Sequence, residues 1–191
     1  MNQNLKTYST KINHPAFNKY IKDTYKWSAL FSTILAVIVI ISFYIYGETS
    51  YEMDNPEALY IGLTIGGMFI LIAFFQIMGR KKSTTWDGSI IEKNIKNKRK
   101  KSQNDNSWRH YEEFTVTILR DHGNIYHLIA EDDDTIYNYY QIGDRVRHHK
   151  GLNSYEKRNK SNDTIIFCNA CATLNDINDD FCFRCKCPLL K

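Results

Sequence analysis

The chain has 191 residues, of which 43% are apolar and 24% charged, and its net charge is +4. That length permits one or two small domains, and so modest a charge excludes commitment to nucleic acid by bulk electrostatics. All five cysteines lie within residues 168–187, which excludes a secreted disulfide scaffold. Mean hydropathy is negative over the whole chain, but it averages a strongly apolar stretch between Trp27 and Gly79 with polar flanks.

Residues 1–26 form a polar leader with Lys6, Lys11, Lys19, Lys22 and Lys26 against Asp23. Trp27–Tyr46 then carries no charge over twenty residues. A helix of that length rises about 30 Å, the thickness of a hydrocarbon core. Trp27 and the Tyr44/Tyr46 pair stand at its ends, where amphipathic rings favour the headgroup level. Ala58–Gly79 is a second uncharged run of twenty-two residues. Asn55 is expected to cap it, with Pro56 as its first helical residue and Glu57 complementing the positive helix end. The long leader, with no small-residue cleavage pattern after the run, argues against a signal peptide. Residues 27–79 are therefore expected to be a two-helix transmembrane hairpin.

Arg80, Lys81 and Lys82 follow the second run, while the connection 47–57 is purely acidic. This bias predicts a multi-pass protein of the cell membrane, with both termini cytoplasmic and loop 47–57 outside. Gly62-x-x-x-Gly66 and Ser32-x-x-x-Ala36 offer small faces for packing within the hairpin. Gln76 is the one strongly polar side chain in either run, and neither contains an ionisable group, so nothing suggests a transporter or proton relay.

Residues 84–160 change to short alternating runs. Strands are expected at Trp86–Ile91, Glu113–Arg120, Ile125–Ala130, Ile136–Tyr140 and Arg145–His149. Asp121-His122-Gly123-Asn124 supplies a turn and Glu131–Asp134 an acidic break. Five antiparallel strands suggest a small all-β barrel or curled sheet of the SH3 or OB kind. Lys93, Lys96, Lys98, Arg99, Lys100 and Lys101 are read as a solvated basic loop. Such a loop could meet anionic lipid, whereas the lack of interleaved aromatic residues within it disfavours nucleic acid. His110, His122, His127, His148 and His149 have no metal-protease or triad spacing and are read as surface or sheet residues. No nucleophile motif is present, so no catalytic residue and no enzyme activity is assigned.

Cys168, Cys171, Cys182 and Cys185 form two Cys-x-x-Cys pairs ten residues apart. Thiolates are soft, charged ligands, and two such turns brought together by a hairpin complete a tetrahedron around Zn2+ at about 2.3 Å per bond. A tetrathiolate site leaves no open coordination position, which makes the zinc structural. Cys187 is a fifth thiol, an alternative fourth ligand or a reactive group beside Lys186.

Within the ribbon domain expected at 164–191, the stretch of about 22 residues from Cys168 to Leu189 resembles the widespread bacterial zinc-ribbon pattern through Cys168, Cys171, Asn175, Phe181, Cys182, Cys185 and Leu189. Ala172 and Lys186 stand where that pattern has glycine, and a positive φ there would strain them. With two spans and a small β unit upstream, the layout resembles bacterial zinc-ribbon membrane proteins of uncharacterised activity. The resemblance implies a ribbon fold and a bound zinc, and it carries no reaction. The function expected is a membrane-anchored, non-enzymatic cytoplasmic adaptor with an unidentified protein partner. The alternatives are nucleic-acid binding through residues 93–101 and redox or metal sensing through Cys187.

Overall fold

The computed structural model describes residues 7–101 and 107–191, so Lys6 of the basic leader lies outside the described residues. Pro15–Ser83 form one compact unit, and Thr84–Lys191 with the residues up to His14 form another.

The helical unit contains α1 (Pro15–Thr49) and α2 (Glu57–Lys82). Both apolar runs are helical, and α1 begins twelve residues before Trp27, with Pro15 as its first residue. The seam between them is made of small residues. Gly66 faces the Ala36 carbonyl, Gly62 faces Phe43 and Ile40, and Gly47 faces Asn55 and Ala58. A Cβ on Gly62 would stand 2.8 Å from that of Phe43, so close backbone approach depends on the missing side chain. Large residues such as Phe31, Ile38, Phe74 and Phe75 point outward. Only 11% and 22% of the most apolar stretches of the two helices are buried. A soluble core helix would bury most of such a stretch. Both helices are thus long and apolar enough to span a membrane. The hydroxyls of Thr33, Ser42 and Thr64 donate to the carbonyls of Ala29, Ile38 and Tyr60, which satisfies them without water.

Asn55 does not cap α2 as expected. Pro56 occupies the cap position with no side-chain cap bond. The Asn55 amide donates instead to the Tyr44 carbonyl and to Glu48, tying the connection back to α1.

The second unit is built on β1 (Trp86–Lys101), β2 (Trp108–Arg120), β3 (Ile125–Glu131), β4 (Arg145–His148) and β5 (Tyr155–Lys157). They form one antiparallel sheet in the order β3-β2-β1-β4-β5. Ile90, Val116, Ile118, Tyr139, Tyr140, Val146, Tyr155 and Phe167 make its core. Gly88 sits where a Cβ would come within 2.7 Å of the Leu119 carbonyl oxygen, so only glycine fits the pairing of β1 with β2 there.

Three expectations need correction. The sheet is open, with β3 and β5 as edges, and is not a closed SH3- or OB-like barrel. Residues 136–140 do not form a strand. Thr135–Tyr139 is a short helix, α3, entered where the Asp133 carboxylate accepts from Thr135 N–H. The fifth strand is instead β5. Finally, Lys93–Lys101 is not a loop but the distal half of β1, paired in register with β2 as far as Lys101 opposite Trp108. Lysine-rich sequence has weak strand propensity. The pairing is supported from across the sheet, where Lys98 reaches Glu113 at 2.6 Å and Lys100 pairs with Glu131.

The C-terminal segment contributes β6 (Ile165–Phe167) and β7 (Leu174–Asp176), a two-stranded antiparallel sheet. Phe167 belongs to the core of the larger sheet, and Ile165 and Leu174 pack against it. The regions 84–160 and 164–191, expected as separate domains, therefore share one hydrophobic core.

Candidate metal centre

Two backbone knuckles with the same hydrogen-bond pattern carry the four cysteines. In the first, Cys168 N–H donates to the Thr173 carbonyl and Ala172 N–H to the Cys168 carbonyl. In the second, Cys182 N–H donates to the Cys187 carbonyl and Lys186 N–H to the Cys182 carbonyl. The offsets are identical. Each knuckle turns on a residue with positive φ four positions after its first cysteine, 57° at Ala172 and 58° at Lys186. These are the two positions where glycine was expected to be easier. The αL conformation is tolerated there despite a Cβ because the flanking bonds over-determine it.

β6 and β7 flank the first knuckle, and the Phe181–Pro188 bridge closes the second. Asn175 joins them. Its amide donates to the Thr173 carbonyl at 2.7 Å, and its side-chain oxygen accepts from Phe183 N–H at 3.1 Å. Thus one buried side chain fixes the second turn relative to the first.

The knuckles bring Cys168, Cys171, Cys182 and Cys185 together with all four sulfurs within 4.8 Å of one another. Cys168 Sγ lies 3.5 Å from Cys185 Sγ, and Cys171 Sγ lies 3.6 Å from Cys182 Sγ. Sulfurs bound to one tetrahedral ion at about 2.3 Å stand about 3.8 Å apart. The donor set and its spacing fit a metal ion. Backbone N–H groups of Ala170 and Cys171 point at Cys168 Sγ, and those of Arg184 and Cys185 at Cys182 Sγ. Burial opposes ionisation at both thiols. It pushes Cys168 up to about 12, whereas at Cys182 the N–H groups and neighbouring thiols outweigh burial and bring it down to about 7. A metal ion would supply the positive charge that four crowded thiolates require.

Cys187 lies outside this cluster. It is 1% exposed, and burial raises its thiol above the ordinary value. Its sulfur is thus kept from direct contact with solvent.

A second buried constellation was not anticipated. Glu156, a sheet residue whose side chain is 1% exposed, accepts from three elements at once. The donors are Lys160 Nζ at 2.9 Å, Ser9 N–H at 2.6 Å and, on the other oxygen, His149 Nε2 at 2.7 Å. Burial acts to raise the Glu156 carboxyl, yet these partners hold it below its usual value. Lys160 Nζ also donates to the Leu190 carbonyl at 2.8 Å. The chain's C-terminal turn, the sheet and the segment before α1 are thereby tied to one carboxylate. His149, read as a surface or sheet residue, is buried in this network. A Glu-x-x-x-Lys spacing outside a helix gives no sequence signal of such a role.

His110 and His122 are exposed, as expected, and His148 stacks on Trp86 at 5.5 Å between centroids. The Glu131–Asp134 run acts as a turn, where Asp132 accepts from Arg109 and from Glu112 N–H. No protein-family model, curated protein or solved structure matches this chain.

Proposed function

We propose that the chain is a membrane-anchored, non-enzymatic adaptor whose four cysteines hold a structural zinc ion. On this reading α1 and α2 cross the cell membrane, both termini are cytoplasmic, and the cysteine knuckles form a ribbon like that of bacterial zinc-ribbon membrane proteins. The lysine and arginine bias of the flanking segments supports the orientation. A reducing compartment then favours metal over disulfide.

The observation that carries the reading is the cysteine cluster itself. Four sulfurs within 4.8 Å fill a tetrahedral ion and leave it no position for a reactant. Zinc is the d10 ion such a thiolate set holds without redox chemistry. What the metal would fix is a surface. Phe181 and Phe183, 55% and 63% exposed, flank Cys182 and are offered to a protein partner by the knuckle it anchors.

Cross-linking in cells followed by capture of the full chain tests this, alongside Cys182→Ser/Cys185→Ser and Phe181→Ser/Phe183→Ser. The purified wild type should carry one zinc per chain by elemental analysis. One cytoplasmic partner should be recovered with the wild type and lost with both variants. Recovery of the same partner from the cysteine variant would overturn the structural role of the metal.

A further inference from the structure

β1 and β2 run past the core that supports them. β3 accompanies β2 only as far as Glu131 opposite Glu113. Beyond that point, residues 97–101 have only Trp108–Glu112 as strand partners, with Glu112 also bonded to Asp132 at the root of the arm. A two-stranded ribbon in water is marginal by itself. This arm is braced by Arg109–Asp132 at 2.6 Å, by the Lys98 and Lys100 pairs, and by Arg99 lying 5.1 Å over the Trp108 ring.

Residues directly opposite each other share a face of the ribbon. One face holds Lys96, Lys98 and Lys100 with Arg109 and Tyr111, and Glu113, Glu131 and Asp132 offset its cations. The other continues the core face outward and holds Ile95, Arg99 and Lys101 with Trp108 and His110. Among the described residues, Arg99 and Lys101 have no carboxylate partner there. Glu112 is the one acid of that face in the arm, and Lys93 at its root sits 4.2 Å over the Tyr137 ring. Trp108 is 57% and Ile95 47% exposed.

We propose that this second face docks on a bilayer surface carrying anionic headgroups. Arg99 and Lys101 meet the headgroup charge, while Trp108 and Ile95 enter the interfacial layer. The inference rests on the membrane-anchoring reading above and narrows the basic run from six cations to two. Charge complementarity selects the occupant. The face pairs unneutralised cations with an exposed tryptophan, the aromatic residue most at home at headgroup depth. Covalent attachment to two apolar helices keeps such a surface at high effective concentration. Single-stranded nucleic acid asks for a succession of stacking rings, whereas this face offers Trp108, whose ring Arg99 overlies at 5.1 Å, and the small imidazole of His110.

The test uses the full chain in nanodiscs containing brominated lipid, either zwitterionic or with about one third anionic lipid, the composition that sets the surface potential. The Trp108 contribution is the emission difference between wild type and Trp108→Phe. The Trp27 contribution, taken in the same way against Trp27→Phe so that Trp86 of β1 cancels, reports insertion of α1. Trp108 should be quenched in anionic discs only, and the quenching should vanish in high salt. At about a factor of five per near-surface cation, Arg99→Gln/Lys101→Gln should lower the docked-to-undocked ratio about 30-fold. Lys96→Gln/Lys98→Gln, which removes the same charge from the other face, should retain most of the quenching. The proposal is overturned if Trp108 ignores lipid charge while Trp27 is quenched, or if both double variants lose docking equally. It is also overturned if oligonucleotide, and not anionic lipid, changes Trp108 emission. Absence of Trp27 quenching would overturn the anchoring reading itself, and the docking with it.

Discussion

The sheet and the cysteine knuckles belong to one compact unit, yet different forces hold them. The sheet buries Ile90, Val116, Ile118, Tyr140 and Val146 in a continuous apolar core. Apart from Phe167, the knuckle segment buries only a few apolar side chains, Ile166, Ala170, Leu189 and Leu190, and its centre is four thiols. Where the two meet, the contact is partly apolar, through Phe167, and partly ionic, through Glu156 and Lys160. The first region can pay its ordering entropy from hydrophobic burial, while the second, on the proposed reading, would draw on a bound metal ion. One unit can therefore contain a metal-independent half and a metal-dependent half.

Removing a ligand breaks the comparison most severely. Structural zinc in small thiolate sites carries an apparent binding energy of order 10 kcal/mol, and that energy is folding energy. Cys182→Ser should lower zinc affinity by at least about 100-fold, more than loss of an outer-shell partner does. Hydrogen exchange should then show loss of protection over residues 165–191, with amides of Ile90, Val116 and Ile118 still protected. Equal loss in both places would mean that the sheet also depends on the metal, and the distinction between the halves would fail.

The link between the halves comes next. Glu156→Gln leaves the Lys160 ammonium buried without its countercharge, a change that costs about 3–5 kcal/mol in comparable pairs. Thermal unfolding should fall accordingly, and Glu156→Gln/Lys160→Met should recover much of the loss because it removes both charges. The folded-state carboxyl of Glu156 lies below its ordinary 4.5. Its contribution is therefore present above that ordinary value and is lost as pH falls through the folded value. The stability gap between wild type and Glu156→Gln should be full at pH 7 and close in acid below about pH 4.5. A gap that did not narrow at all as the pH was lowered from 7 into strong acid would show that the carboxylate is not what joins the halves.

The same division explains what could be read without coordinates. The helices announce themselves because twenty uncharged residues have few alternatives, and the thiol cluster does so because two Cys-x-x-Cys pairs at that separation suit one ion. The distal part of β1 was illegible. Its alternation is of charge with charge, Ile95 is its single apolar residue, and its strand character comes from partners on β2 and β3. α3 was misread because Ile-Tyr-Asn-Tyr-Tyr fits a strand period, while the deciding bond, from Thr135 N–H to Asp133, is local chemistry in the preceding turn. The closure of the sheet was overestimated for a related reason. With Thr135–Tyr139 helical in place of a strand, β5 takes an edge and does not pair with β3. The Glu156 network has no sequence signature, since its members come from the leader, the loop after β4 and the chain's last residues.

The smallest expected effect sharpens the account of the knuckles. Ala172 and Lys186 hold φ near 57° and 58° while their side chains are exposed, so neither contributes packing that glycine would forfeit. The αL conformation costs a residue with a Cβ about 1–2 kcal/mol, and glycine returns part of that as extra freedom in the unfolded chain. Ala172→Gly and Lys186→Gly should each raise stability of the metal-loaded protein by about 0.5–1 kcal/mol, read as a shift in chelator concentration at half-unfolding. Ala172→Val should move it the other way, because a β-branched residue fits αL worst. Because the two knuckles share one hydrogen-bond pattern, the two glycine effects should match in size. A gain at Ala172 with none at Lys186 would mean that the second turn, which unlike the first is not flanked by a pair of strands, relaxes its φ when the metal leaves, so that its strain is released before unfolding begins.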